Sequence, residues 1–200
     1  MGNRMERRIN PGILILIGLV FLTGCSSTHP APKMPLAAEA FVPVDGEALP
    51  TIGFAGLTLD ISQAVAIGYH YKGMQYTKMY DYWWDENFAK RTVELDLESR
   101  TLLEEAGYRV SNDDPAGLRL EGILGRLGYN SYERKTSFEQ AECEMTWHLY
   151  RAGATEPFFT AVTSGAGRVG FKEMGALLKA YELALRRLLT DPEFMSAAAN

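Results

Sequence analysis

Residues 138–151 alternate between apolar and polar side chains, and this pattern restricts the possible folds more than any other feature of the chain. The apolar positions are Ala141, Cys143, Met145, Trp147 and Leu149. Because successive side chains of a strand point to opposite faces of its sheet, the alternation predicts a long strand with one face on a core and the other in water. Such a strand is typical of an antiparallel sheet that packs helices on one face only.

Weaker patterns place further strands around this one. Residues 118–127 and 158–164 predict two neighbouring strands, and residues 130–136 predict a polar connection that leads into the alternating segment. A short strand is expected at 108–110. An earlier strand is predicted from four alternating residues, namely Val65, Ile67, Tyr69 and Tyr71.

Two segments have the spacing of amphipathic helices. Asp85 is a suitable N-cap for the first helix, and Gly107 ends it. The second helix stops before Asp191 and Pro192; its apolar stripe consists of Met174, Leu177, Leu178, Tyr181, Leu185, Leu188 and Leu189. The order of these elements predicts an α+β fold: a two-layer sandwich, with a mainly antiparallel sheet and two helices packed on one face.

Composition narrows the class of protein further. The chain has 200 residues and a formal net charge of -5, with 20 Lys+Arg against 25 Asp+Glu. This length fits one domain with appendages. The acidic balance excludes a nucleic-acid binder, which needs a basic face to displace counterions from phosphates.

The first residues are typical of an exported protein. A basic segment, with Arg4, Arg7 and Arg8, precedes the ten apolar residues 13–22. A membrane-spanning helix needs about 20 residues, so a run of this length predicts a signal-peptide core instead. Residues 26–52 then hold five of the nine prolines, a composition that favours an extended spacer.

Leu22-Thr23-Gly24-Cys25 closes the apolar run and resembles the lipobox of bacterial lipoproteins. The resemblance implies cleavage before Cys25 and acylation of that cysteine. Ser26 stands where the sorting rules of such proteins place Asp for inner-membrane retention, which implies the periplasmic face of the outer membrane and makes the inner membrane the less favoured alternative. The predicted organisation is a signal peptide at 1–24, the lipidated cysteine and Pro-rich tether at 25–52, and a single periplasmic domain at 53–200.

Motifs that could carry chemistry are weak. Residues 165–170 match G-x-G-x-x-G, but no second parallel strand with an acidic end follows, so we interpret them as a flexible connection from strand to helix. Cys143 is predicted to be a packed thiol. His148 shares a strand face with Glu142 and Glu144, where a solvated surface is favoured over a weak metal site. The sequence predicts no catalytic residue, metal or cofactor, and a hydrolase with an unrecognised site stays a remote alternative.

Residues 69–84 hold seven aromatic side chains within sixteen positions. Tyr and Trp combine an apolar body with a polar group, so they are common at protein interfaces and in sugar-stacking sites. Two interpretations stay open: the rings cover an open edge of the core, or they form a binding surface. The candidate partner-binding residues are Tyr76, Tyr80, Tyr82, Trp83 and Trp84.

Several segments together resemble the YajG-like outer-membrane lipoproteins and the auxiliary lipoproteins of ABC-type lipid transport systems. They are the lipobox, residues 102–110 (LLEEAGYRV), residues 118–122 (LRLEG) and residues 188–194 (LLTDPEF). The resemblance covers about residues 85–194 and implies a small α/β domain that faces the periplasm, without catalytic residues.

The sequence as a whole predicts a lipid-anchored, non-enzymatic lipoprotein of the cell envelope that binds a protein or envelope partner. One alternative is an auxiliary subunit of an ABC-type lipid or solute transport system. A second alternative is a module that binds peptidoglycan or another glycan.

Overall fold

The structure is a computed structural model, and it describes residues 49–60, 66–80, 82–111, 117–133, 137–170 and 175–199. These residues contain seven strands and three helices. The strands are β1 (Thr51–Leu59), β2 (Ala66–Lys72), β3 (Gln75–Tyr80), β4 (Arg109–Ser111), β5 (Leu118–Glu133), β6 (Phe138–Arg151) and β7 (Phe159–Gly170). The helices are α1 (Tyr82–Glu105), α2 (Gly175–Leu189) and α3 (Pro192–Ala199).

One mixed sheet contains all seven strands, and β5 is its centre. On one side β5 pairs with β6 along its whole length in antiparallel register, and β7 adds to β6 in the same way. On the other side the first half of β5 pairs with β1 and the second half with β2, both parallel. β4 extends β1, and β3 extends β2. The two longest ladders are antiparallel, and the predicted α+β sandwich is confirmed.

The core lies on the face of β6 that the alternation predicts. Ala141, Cys143, Met145, Trp147 and Leu149 are each at most 3% exposed, and we call this the inner face of the sheet. Side chains from all three helices belong to the same buried cluster. The indole Nε1–H of Trp147 donates a hydrogen bond of 2.7 Å to Thr163 Oγ1, so the largest core side chain keeps a polar partner.

The end of α1 shows how local sequence fixes a boundary. Gly107 has a φ of 93°, a left-handed conformation that glycine adopts without steric cost. The amide of Gly107 donates to the carbonyl of Glu104, and the amide of Tyr108 donates to the carbonyl of Leu103. This pair of bonds is the Schellman arrangement, and it confirms the predicted end of the first helix.

Several predicted boundaries are wrong. α1 begins at Tyr82, so Asp85 lies within the first helix and does not precede it. Residues 130–133 belong to β5 and are not a connection. β7 runs to Gly170, so the glycine-rich residues 165–170 are strand, not loop. A third helix, which the sequence did not predict, begins at Pro192, because proline is well suited to the first turn of a helix.

A bulge explains why β5 extends further than predicted. Leu124 lies opposite Met145 and Arg126 lies opposite Glu144, so Gly125 is an extra residue without a counterpart on β6. On β5 the side chains that face the core therefore stand at even-numbered positions before the bulge and at odd-numbered positions after it. Leu127 is an example, because it lies opposite Cys143 of the inner face. A period of two cannot be followed across such a change.

Candidate functional site

Five aromatic rings form a continuous band on the outer face of the sheet, which is the face opposite the core. Tyr71 of β2 lies beside Tyr132 of β5, and Tyr132 lies opposite Phe138 of β6. Tyr69 and Tyr76 flank Tyr71, with ring centroids 5.9 and 6.2 Å from its ring. We call these five residues the aromatic band.

The centre of the band is a stack of three rings. The rings of Tyr71 and Tyr132 are 4.6 Å apart at an angle of 2°, and those of Tyr132 and Phe138 are 4.4 Å apart at 18°. The guanidinium carbon of Arg168 on β7 lies 4.1 Å from the centroid of the Phe138 ring, a cation–π distance. The rings stand side by side across neighbouring strands, so most of their faces are already in contact with one another or with Arg168.

The band is partly desolvated. Burial, followed by the nearby phenols of Tyr69 and Tyr76, raises the pKa of Tyr71. Burial is also the main cause of the raised pKa of Tyr132, so both phenols stay neutral at physiological pH. Beside the band, on the same face of β6 as Phe138, Gln140 is only 3% exposed, and its Nε2 donates to the hydroxyl of Tyr132 at 3.4 Å.

The rim of the band is open to solvent. Tyr76 is 63% exposed, and Met74, in the turn between β2 and β3, is 97% exposed. Large apolar side chains that project from a partly buried aromatic cluster are typical of protein contact surfaces. The chemistry available here is recognition by shape, by apolar contact and by cations such as Arg168.

The predicted partner-binding residues are only partly described. Tyr76 and Tyr80 lie on β3, and Tyr82, Trp83 and Trp84 form the first turn of α1. The side chains of Tyr80, Tyr82, Trp83 and Trp84 lie outside the described residues, as does Cys25, so their roles stay predictions.

Three residues of this surface were missed by the sequence analysis: Tyr132, Phe138 and Arg168. They stand outside the segment 69–84 and join it only through the strand register. The signal in the sequence was weak but present. Tyr132 and Phe138 flank the connection at 134–137, a placement that makes them cross-strand neighbours if β5 and β6 form a hairpin.

The outer face of β6 is less solvated than predicted. Tyr150 is 8% exposed because the guanidinium of Arg119 lies 4.2 Å from its ring centroid, and its hydroxyl donates to Glu121 at 2.8 Å. His148 Nδ1 is 2.9 Å from Thr160 Oγ1. Glu142 and Glu144 are exposed as expected. Within the described residues, no group of three or more His, Cys, Asp or Glu side chains is placed to hold a metal ion.

The G-x-G-x-x-G match has a packing role. A Cβ atom on Gly165 would lie 1.8 Å from the carbonyl oxygen of Ala180, and one on Gly167 would lie 2.2 Å from that of Ala176. Because these two glycines have no side chain, α2 can approach the backbone of β7 closely at Ala176 and Ala180. This contact occupies the inner side of both glycines and leaves no room for a dinucleotide.

His70, Ser131 and Glu133 form a polar cluster that superficially resembles a hydrolase site. His70 Nδ1 is 2.7 Å from Ser131 Oγ, and His70 Nε2 is 3.6 Å from Glu133 Oε1. However, Ser131 is only 4% exposed and lies within a regular ladder, opposite Glu139. A nucleophilic serine must meet its substrate beside groups that stabilise an oxyanion, so this geometry favours a structural cluster.

Cys143 is buried within the core, as predicted. Burial raises the pKa of its thiol to about 12, and this effect outweighs a hydrogen bond from the backbone of Gly165. The thiolate that a nucleophile requires is therefore absent at physiological pH.

Comparison with known proteins gives distant structural likenesses. No family model matches the chain, and no curated protein matches it. A Xanthomonas campestris protein of the DUF330 family is 11% identical, with 80% of this chain and 90% of that chain covered and a TM-score of 0.43. The PelC dodecamer from Paraburkholderia phytofirmans is 8% identical, with 76% and 93% covered and a TM-score of 0.40. A minor lipoprotein from Acinetobacter baumannii is 10% identical, with 76% and 94% covered and a TM-score of 0.33.

Bacterial lipoproteins are thus among the solved structures that resemble this chain. In the described part of the chain, no helix combines the length and the apolar character that crossing a bilayer would require.

Proposed function

We propose that this chain is a lipid-anchored, non-catalytic domain of the bacterial cell envelope, and that it binds a protein partner through the aromatic band. The observation that carries the proposal is the band itself: a stacked, partly desolvated aromatic surface with an exposed rim at Tyr76 and Met74. Rigid aromatic side chains lose little conformational entropy on binding, so they are effective anchors for a partner.

The anchor rests on the order of features at the N-terminus. Basic residues, a short apolar run, the box Leu22-Thr23-Gly24-Cys25 and the polar Ser26 follow one another as in lipoprotein precursors. Each buried methylene of an acyl chain contributes about 0.8 kcal/mol, and two or more chains on Cys25 would hold the protein firmly. Ser26 favours the periplasmic face of the outer membrane.

The packing of the band favours a protein over a glycan. A sugar stacks on the free face of an aromatic ring, but the ring of Tyr132 lies between Tyr71 and Phe138, and Phe138 lies between Tyr132 and Arg168. The band instead offers ring edges, phenol hydroxyls and a cation, which suit the mixed apolar and polar surface of a protein.

Mass spectrometry tests the anchor. The intact mature protein should begin at Cys25 and carry the added mass of acyl chains, and a Cys25→Ser variant should lack both the cleavage and the added mass. A wild-type protein without acyl mass at Cys25 would rule out the lipoprotein assignment.

Photo-crosslinking in intact cells tests the binding surface. A photoreactive phenylalanine analogue at position 76 should give a discrete adduct with one envelope protein, and Tyr132→Ala should abolish it by removing the centre of the stack. The same analogue at Leu97, which is 66% exposed on α1, is the matched control and should give no such adduct. Equal labelling from both positions would contradict a specific surface on the band.

The identity of the adduct separates the finer alternatives. A transporter permease or ATPase subunit would favour the auxiliary transport role. Binding of the purified protein to peptidoglycan that is lost in Tyr76→Ala would favour the glycan-binding alternative and overturn the protein partner.

A further inference from the structure

The turn between β2 and β3 presents an apolar side chain at one end of the sheet. Lys72 lies opposite Gln75, so Gly73 and Met74 alone form the turn, and Gly73 has a left-handed φ of 63°, which tight hairpin turns favour. Met74 is 97% exposed, the largest exposed fraction among the large hydrophobic side chains that the structure describes. A methionine this exposed adds almost nothing to the core of its own domain, so it is available to an apolar phase outside the molecule.

The strand register places four rings of the aromatic band in one row behind this turn. Tyr71 lies opposite Tyr76 and beside Tyr132, and Tyr132 lies opposite Phe138. We call these four residues the aromatic row. It runs across β3, β2, β5 and β6 at one level, and Tyr76 is two residues, or about 7 Å along the strand, from Met74. Tyrosine rings are enriched at the level of the lipid headgroups, where an apolar ring and a polar hydroxyl are both accommodated.

The next row on the outer face, two residues further from the turn, has a cation at each end. From β3 to β7 it consists of Lys78, Tyr69, Asn130, Gln140 and Arg168, and we call it the basic row. Lys78 is exposed, and neither this row nor the aromatic row contains an acidic residue. Four strand spacings of about 4.8 Å separate the two cations by about 19 Å. The guanidinium of Arg168 reaches back to the Phe138 ring, 4.1 Å from its centroid, and so approaches the aromatic row.

The carboxylates that the structure describes at this end of the sheet are paired or buried. Glu133, the last residue of β5, lies beside Lys72, and Glu133 Oε2 is 3.8 Å from Lys72 Nζ. His70 Nε2 lies 3.6 Å from the other oxygen of the same carboxylate. Glu139 is fully buried on the inner face, and its Oε2 accepts a hydrogen bond from the amide of Ala176. The described surface at this end is therefore basic, although the chain as a whole has a net charge of -5.

We propose that this end of the sheet contacts an anionic phospholipid bilayer. Met74 enters the outer acyl region, the aromatic row lies among the headgroups, and Lys78 and Arg168 reach the phosphates. The order of layers along the strands carries the proposal, because the sequence apolar, aromatic, basic matches the change in polarity from acyl chains to water. The contact goes beyond the protein partner proposed above and does not depend on it: the outer face of the aromatic band would meet that partner at the membrane surface.

The length of the N-terminal segment permits this orientation. β1 begins at the other end of the sheet, because Ile52 pairs with Leu118 at the start of β5, whereas the β2–β3 turn lies at the end of β5. The 16 residues of β5 span about 50 Å. Residues 26–50 can extend to about 80 Å at about 3.1 Å per residue. A lipid anchor at Cys25 and the β2–β3 turn can therefore reach the same bilayer.

Fluorescence quenching tests the contact in the full-length protein, reconstituted into phosphatidylcholine vesicles that contain phosphatidylglycerol. An environment-sensitive fluorophore is attached to a Met74→Cys variant, and the buried Cys143 stays unlabelled. A nitroxide in the outer acyl region should quench this label strongly. The matched control is Val93→Cys, because Val93 is 68% exposed on α1, and its label should not be quenched. Equal quenching at the two positions would overturn the proposal and leave the turn to a protein partner. Failure of the lipid anchor is a separate result, since the protein would then not float with the vesicles.

A charge variant measures the contribution of the basic row. Each basic residue near an anionic surface strengthens binding about fivefold, so Lys78→Gln combined with Arg168→Gln should lower the ratio of bound to free turns about 25-fold. Arg109→Gln combined with Arg126→Gln removes the same charge from exposed positions on β4 and on β5 before the aromatic row, and quenching at position 74 should be unchanged. Undiminished quenching in the first pair, or in vesicles of phosphatidylcholine alone, would overturn the anionic bilayer as the occupant.

Discussion

Replacement of Gly165 by alanine should destabilise the domain strongly, because this glycine sets the distance between β7 and α2. The new Cβ would lie 1.8 Å from the carbonyl oxygen of Ala180 and 2.8 Å from the amide nitrogen of Ala184. An ordinary contact between such atoms is about 3.5 Å, so the helix must retreat by about 1.7 Å. The obstacle is helix backbone, which cannot turn aside as a side chain can.

Overpacking of this kind costs about 1–3 kcal/mol, and contact with backbone places Gly165→Ala at the upper end, about 3 kcal/mol. For a domain of this size the melting temperature should fall by about 6–12 °C. Circular dichroism of the purified protein measures the shift.

Gly128→Ala is the matched control for this experiment. Gly128 also lies inside a strand, β5, but an added Cβ would meet no heavy atom within 4 Å. Since glycine in a strand costs about 0.5–1 kcal/mol relative to alanine, this variant should be neutral or slightly more stable. Equal melting temperatures for the two variants would refute the argument that glycine fixes the approach of α2 to the sheet.

Three further predictions concern polar groups near the helices and the core. Burial raises the pKa of Asp96, and its Oδ1 is buried without a hydrogen-bond partner among the described residues, so Asp96→Asn should raise the free energy of unfolding by about 1 kcal/mol at pH 7. Because burial favours the protonated carboxyl, the wild-type protein loses stability as the pH rises through the raised pKa of Asp96. The advantage of Asp96→Asn over the wild type should therefore be full at pH 7. In urea denaturation it should shrink as the pH is lowered towards the ordinary Asp pKa of about 3.9. Tyr181→Phe removes a hydroxyl that lies 2.6 Å from Ser99 Oγ and should cost about 1 kcal/mol, and chemical denaturation of the double variant with Ser99→Ala should give less than the sum of the single losses. Cys143, with a thiol pKa of about 12, should resist alkylation in the native protein and react only in guanidinium chloride; rapid native alkylation would contradict its burial.

Regular elements could be predicted from the sequence, because their periodicity is continuous. All five apolar positions of β6 face the core, and Gly107 ends α1 as its conformational freedom suggests. α2 likewise buries most of its predicted apolar stripe, whereas Leu178 is only half-buried and Met174 lies outside the described residues. In each case a local rule and the tertiary packing favour the same result.

Two irregular strand segments, β1 and the second half of β5, could not be predicted from the sequence. The physical reason is the same for both. β1, which the sequence analysis missed, has a register shift between Phe54 and Leu57, with Gly56 at a φ of 100°. The second half of β5 follows the bulge at Gly125. An inserted residue reverses the inward and outward positions, so the alternation that identifies a strand disappears where the strand bends.

The candidate site illustrates a second limit. The density of aromatic residues at 69–84 drew attention to Tyr76, but Tyr132, Phe138 and Arg168 reach the same surface from three other strands. Which rings stack depends on a register that spans about sixty residues of sequence. A local pattern therefore indicated the region but could not define its members.

The central position of β5 also sets the order in which this domain can fold. Among the described residues β1 pairs only with later strands, and Ile52 must wait for Val110 of β4 and Leu118 of β5, which lie 58 and 66 residues further along the chain. At a synthesis rate of about 5–20 residues per second, this delay is about 3–13 s. β5, β6 and β7 are sequential neighbours and form hairpins as soon as they emerge, whereas β1 has no strand partner among the described residues until β4 emerges. Of the described strands, β1 therefore waits longest for its partners and most needs a chaperone before folding is complete.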